Sequence, residues 1–286
     1  MIVPIILLAF ATISTAVPKP NTLRDIYPSY PQISIPIPPG FEAPTERIVG
    51  GEIADPHNFP HQAALFLHKA AKTNFCGGSL ISTKYVLTAA HCTESAISID
   101  VVLGAHNIRD ENEPTQTFIT AVSYIIHENY NPTAIINDIS IITLPDEAVA
   151  ISDIIQLVHL PSWSDVGKDL TGENAVVSGW GKINDGETSY TDYLQFVEFP
   201  IITNEDCDVW YFGGTIHDVH ICTSGEDARS TCNGDSGGAL VVNGKQVGIV
   251  SFGILFGCEA GWPAAYTRVS QFLQWIEDNS DVIIEP

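Results

Sequence analysis

From Ile48 onward the chain is a succession of short β-branched runs, each cut by glycine, proline or asparagine before it grows long. Runs at 62–67, 85–89, 99–103, 118–126, 139–144, 175–177, 194–199, 246–251 and 264–269 have this character. Short strands separated by regular turn signals indicate an all-β sandwich or barrel pair. Only 270–279 has helical spacing, with Ser270 as a candidate cap and Phe272, Leu273 and Ile276 on one face. The 239 residues from Ile48 to Pro286 suffice for one large domain or two fused halves, and no internal repeat is strong enough to use.

An apolar fraction of 45% excludes intrinsic disorder. Thirty-four acidic against 12 basic side chains give a formal charge of −22. A nucleic-acid partner would require a basic face, so polyanions are excluded, while self-repulsion favours a soluble monomer. Residues 1–47 hold three basic and three acidic groups, so the acidity belongs to residues 48–286.

The one run apolar enough to interest a membrane is 2–10, well short of the ~20 residues a crossing needs. With Ser14, Thr15 and Ala16 behind it, residues 1–16 read as a secretory signal cleaved after Ala16, and no membrane anchor is expected. Residues 17–47 contain eight prolines and no cysteine, which suits an extended, removable prosegment ending at the processing site Arg47–Ile48. Residues 48–286 are then the functional domain.

Export permits disulfides. Six cysteines allow fifteen connectivities, but they group as near neighbours: Cys76 with Cys92, Cys207 with Cys222, and Cys232 with Cys258. In the loop-entropy model, loops of this size stabilise a fold by about 3 kcal/mol each. No C-x-x-C occurs, so neither a zinc site nor any other metal or cofactor is expected. His217 and His220 form an H-x-x-H, a weak signal that reads more simply as surface histidines. No N-x-[ST] sequon without proline is present, so N-glycosylation is not expected.

Three stretches carry chemistry. Thr88-Ala89-Ala90-His91-Cys92 ends a strand in a histidine beside a cysteine that would lock its backbone. Asn137-Asp138-Ile139 sets a carboxylate among isoleucines, where it would be desolvated. Gly234-Asp235-Ser236-Gly237-Gly238 surrounds a serine with residues that let backbone N–H groups approach a ligand. A serine hydroxyl needs a base, the base an orienting acceptor, and the developing oxyanion a pair of donors. His91, Asp138 and the N–H groups of Gly234 and Ser236 supply all three. The order His, Asp, Ser separates this chain from α/β-hydrolases and subtilisins.

With Ile48-Val49-Gly50-Gly51 and Ser178-Gly179-Trp180-Gly181 added, residues 48 to about 279 resemble a chymotrypsin-family serine endopeptidase. Residues 60–66, 100–109 and 257–261 are similar to arthropod chymotrypsins and the crab-collagenase (brachyurin) group. The resemblance implies two six-stranded antiparallel β-barrels with a C-terminal helix and a cleft between the barrels. It implies that the amino group freed at Ile48 pairs with Asp235, so that the intact chain is a zymogen. It also places Ser230 at the floor of the primary specificity pocket, Gly253 at its entrance and Ala264 on its wall.

Trypsins carry an aspartate at the floor and brachyurins an acid on the wall; here those positions are Ser230 and Ala264. A cationic substrate would lose hydration without gaining a counter-ion, so cleavage is expected after Phe, Tyr or Leu. Glu226 and Asp227 are close enough in sequence to reach the floor from an unusual loop. Arg47 does not suit such a pocket, so activation falls to a separate trypsin-like protease. Ala105 stands where trypsins place a calcium ligand, which argues against calcium. Protein substrates and protein protease inhibitors are the implied partners, and gut lumen or another secretory fluid the implied location. The competing reading is an inactive protease homologue serving as a binding protein or cascade cofactor, whose usual signature is a lost nucleophile or base.

Overall fold

Neighbouring runs pair with one another, and the pairing sorts them into two antiparallel sheets. The computed structural model describes residues 50–253 and 257–286. The expected signal, the prosegment, Arg47 and Ile48 lie outside the described residues.

The first sheet holds β2 (Gln62–His68), β3 (Thr73–Leu80), β4 (Tyr85–Thr88), β5 (Ser98–Leu103), β6 (Thr117–Thr120), β7 (Ser123–Ile126) and β8 (Ser140–Thr143). Their order is β6-β5-β2-β3-β4-β8-β7. The second holds β1 (Glu52–Ile53), β9 (Asn174–Gly179), β10 (Gln195–Ile202), β11 (His220–Thr223), β12 (Ala239–Val242), β13 (Lys245–Phe252) and β14 (Ala264–Arg268). Because β9 pairs with both β10 and β12, six of these strands close into a barrel, and β1 is added alongside β10.

Two barrel-like sheets were expected, but the first differs from a closed six-stranded barrel. The run 118–126 breaks at Ala121–Val122, where one N–H donates to Ile99 O and the next to Thr143 O. Its halves therefore pair with opposite edges, β6 with β5 and β7 with β8. The covalent link between them curls the seven strands round without a closing ladder.

Each sheet encloses its own apolar core. Leu65, Leu67, Val101, Leu103 and Ile141 fill the first, and Val177, Phe199, Ile221, Leu240 and Tyr266 the second. Each such side chain contributes roughly 1.5–3 kcal/mol on burial. A third cluster, with Phe66, Phe75, Trp180 and Leu194, joins the two halves. Polar ties cross the same seam: Ser178 donates to Gln62 at 2.6 Å and Ser79 to Gln246 at 2.6 Å.

Among the described residues three short α-helices complete the fold: α1 (Ala90–Thr93), α2 (Asn204–Trp210) and α3 (Leu273–Asp278). Ser270 does not cap the last one; it lies in a preceding 3-10 turn, Val269–Gln271, and Phe272 occupies the cap position without a side-chain bond. The turn leaves Phe272, Leu273 and Ile276 buried against the first barrel's core. Disulfides join Cys76 to Cys92, Cys207 to Cys222 and Cys232 to Cys258. Among the described residues no helix is long and apolar enough to cross a membrane.

Candidate active site

His91 stands in α1, the single helical turn that follows β4, and its neighbour Cys92 ties that turn back to β3. Asp138 stands two residues before the start of β8, the strand paired with β4, so the ladder that aligns β4 and β8 brings the two residues together. The His91 ring donates from Nδ1 to Asp138 Oδ2 at 2.8 Å, and the His91 backbone N–H donates to Oδ1 at 2.9 Å. Ser251, at the end of β13, donates its hydroxyl to the same Oδ2 at 2.6 Å.

Asp138 is 1% exposed. Burial alone would raise its carboxyl; the adjacent His91 ring, the Ser251 hydroxyl and the His91 N–H outweigh burial and hold it below the usual carboxylate range. An ionised carboxylate accepting from Nδ1 leaves Nε2 unprotonated in the neutral ring, the form a general base requires.

The loop of Gly234–Gly238 leaves the second barrel and docks on the first. Gly77 N–H donates to Ser236 O at 2.7 Å. Gly237 has φ +81° and lies so close to Thr88 and Ala89 that a Cβ would collide with the Thr88 hydroxyl. Thr88 is three residues before His91. The Cys92 sulfur is 3.7 Å from His91 Nε2 and 3.6 Å from Ser236 O, so imidazole and serine flank one disulfide. Gly234 has φ +106°, and among the described residues neither its N–H nor that of Ser236 meets an acceptor. Two free donors beside a serine can hold an oxyanion.

Asp235 points away from the cleft and is fully buried. Gly181 and Cys232 each donate a backbone N–H to its carboxylate at 2.9 Å. Desolvation outweighs these bonds and pushes the carboxyl up to about 6. Among the described residues no cation pairs with it.

Ser236 also borders a cavity of about 290 Å³ lined by Ser230, Thr231, Asn233, Val250, Phe252, Gly253, Trp262 and others. Ser230 is 9% exposed, its hydroxyl turned to Thr231 O. A Cβ built at Gly253 would meet nothing within 4 Å. Ala264 departs from expectation. It is absent from the lining because its methyl group packs into the second barrel's core from β14. Glu226 and Asp227 do not line the cavity either; Arg229 holds Asp227 outside at 3.3 Å.

Sequence reasoning missed Asp185, the one ionisable side chain in the described lining. Its carboxylate accepts the N–H groups of Cys258 and Glu259 at 2.7 and 3.2 Å, and Glu259 in return accepts the Asp185 N–H at 2.9 Å. This clasp joins two loops far apart in sequence, so no local pattern announces it. His220, read as a surface histidine, is instead 1% exposed, because its strand β11 lies inside the second barrel's sheet. Among the described residues, both groups of potential metal ligands consist of one disulfide plus a single further side chain.

The Trypsin family model matches residues 48–276. Brachyurin of Leptuca pugilator is 48% identical over 235 residues, 82% of this chain and 99% of that protein. Chymotrypsin of Phaedon cochleariae is 41% identical over 239 residues, covering 83% and 84%. The solved structure of HL collagenase superposes with a TM-score of 0.75 at 34% identity, covering 83% of this chain and all of that one.

Proposed function

The chain belongs to the trypsin family of serine endopeptidases, and from that premise we propose that it is a secreted, chymotrypsin-like enzyme cleaving after Phe, Tyr and Leu. The family acts on protein or peptide substrates. In this reading Ser236 attacks the scissile carbonyl while His91 takes its proton, and Asp138 steadies the ring and the cation it becomes. The N–H groups of Gly234 and Ser236 receive the oxyanion. His91 then returns the proton to the departing amine, and water releases the acyl group from Ser236 by the same steps in reverse.

The observation that carries the reading is the buried Asp138 carboxylate bonded to His91, with the Ser236 loop docked three residues away from that histidine. The specificity reading rests on a cavity whose described lining offers Ser230 where a cation would need a carboxylate. Asp185 lies at its exposed rim with both oxygens already accepting backbone N–H groups.

Residues 1–16 serve as signal, 17–47 as prosegment and 48–286 as the protease domain. Cleavage after Arg47 frees an ammonium at Ile48 that pairs with Asp235. A fully buried carboxylate that desolvation raises to about 6, with no cation paired to it among the described residues, supports that role. Activation comes from a trypsin-like enzyme, and the mature protein is a monomer in gut or another secretory fluid, open to protein inhibitors.

The test is to treat the secreted chain with trypsin, quench the trypsin, and compare hydrolysis of peptides ending in Phe, Leu, Ala and Arg. Phe and Leu peptides should be cleaved fastest. A winning Arg peptide would overturn the pocket assignment, and rapid cleavage of Arg47 by the purified active enzyme would overturn the activation route.

A further inference from the structure

The turn that delivers Asp138 is strained. Ile135 and Asn137 have φ +51° and +57°, a region that β-branched residues in particular avoid. Such conformations persist only where surrounding contacts over-determine them. Within its own loop, Ile136 exchanges two backbone bonds with Asn131, and the Asn137 amide donates to Asn129 O at 2.9 Å. Among the described residues, one side chain reaches the backbone of Ile135: His220 Nε2, 3.0 Å from its carbonyl oxygen.

His220 belongs to the other barrel. Its Nδ1 accepts the His217 N–H at 3.0 Å, which leaves Nε2 as the protonated nitrogen and makes it a donor to Ile135 O. Its own carbonyl is fixed by Arg268 Nε at 2.9 Å and by the Asn204 amide at 3.0 Å. Its partner across the β11–β14 ladder is Thr267, whose hydroxyl donates to the Asp138 carbonyl at 2.7 Å. With Ser251 on the carboxylate, the second barrel therefore grips the Asp138 turn at three points: Ile135 O, Asp138 O and Asp138 Oδ2.

We propose that His220 is a positioning residue for the reaction, holding the strained turn so that Asp138 meets His91 in its working geometry. This inference rests on the assignment of His91, Asp138 and Ser236 given above. His220 touches no reacting atom; it acts through Ile135, and what it supplies is one buried N–H donor rather than volume or charge.

The experiment compares trypsin-activated wild type, His220→Gln and His220→Leu on a peptide amide ending in Phe, with competent sites counted by a serine-directed phosphonylating reagent. Glutamine keeps an N–H donor and should remain within about twofold of wild type. Leucine has none, and kcat should fall about fivefold, the size of one hydrogen bond, with KM nearly unchanged. A wild-type kcat in the leucine variant, an equal loss in the glutamine variant, or a change confined to KM would overturn the proposal. Should the leucine variant not fold, ¹⁵N NMR of the wild type decides: a proton on Nε2 of His220 agrees with the proposal and one on Nδ1 refutes it. Failure of the wild type itself to take up the reagent would instead indict the triad assignment.

Discussion

The buried carboxylate of Asp235 makes the uncleaved chain less stable as pH rises, by an amount the structure sets. Burial raises the folded carboxyl from 3.8 to about 6. Between those values the folded state retains a proton that the unfolded chain has released, so stability falls with increasing pH until both forms are ionised. A difference of about two units corresponds to about 3 kcal/mol, lost from about pH 4 and fully absent above about pH 7.

Many other acids titrate in this window, so the measurement must be differential. Urea unfolding of the uncleaved chain, carrying Ser236→Ala to prevent self-digestion, is compared with the same protein carrying Asp235→Asn in addition. The comparison is made at pH 3.5 and 7.5, on either side of the isoelectric point near 4.4. Asparagine stays neutral and can still accept the Gly181 N–H. Relative to the asparagine variant, the protein that keeps Asp235 should lose about 3 kcal/mol between the two pH values. After cleavage at Arg47 the Ile48 ammonium should pair with the carboxylate and abolish that loss. A difference between the variants that does not move with pH would refute the reasoning.

Two further substitutions probe the site. Asp138→Asn retains the shape but presents the ring with an amide, favouring the wrong tautomer; kcat should drop by about 10⁴-fold with little change in the melting temperature, measured by peptide hydrolysis and thermal unfolding. Gly237→Ala places a methyl group against the Thr88 hydroxyl at φ +81°. It should cost at least about 2 kcal/mol in urea unfolding and remove most activity, because it lifts the Ser236 loop off the first barrel.

Much of the architecture is written in local pattern. Strand positions follow from β-branched runs ended by turn residues, and the disulfides link near neighbours because each closes a short excursion from a sheet. His91 and Asp138 stand out since both break apolar surroundings with a polar group that needs a partner. Contacts between segments remote in sequence are another matter. The break at Ala121–Val122 reflects the curvature of a sheet that turns back on itself, which no window of residues contains. Asp185 reaches the cavity rim from a loop more than seventy residues away from its bonding partners. Ala264 occupies a wall position by family resemblance, yet strand alternation on β14 turns it to the core. His220 has the pattern of an exposed histidine because its burial depends on the place of β11 between β10 and β14 in the second barrel, which no local window contains.

The central claim is that Asp138 and His91 activate the hydroxyl of Ser236. It is tested most directly by treating the trypsin-activated protein with a phosphonylating reagent and locating the adduct by peptide mass spectrometry. A single adduct on Ser236, lost in His91→Ala, is the expected result. An activated wild type that takes up no reagent, or takes it up at the same rate without His91, would contradict it.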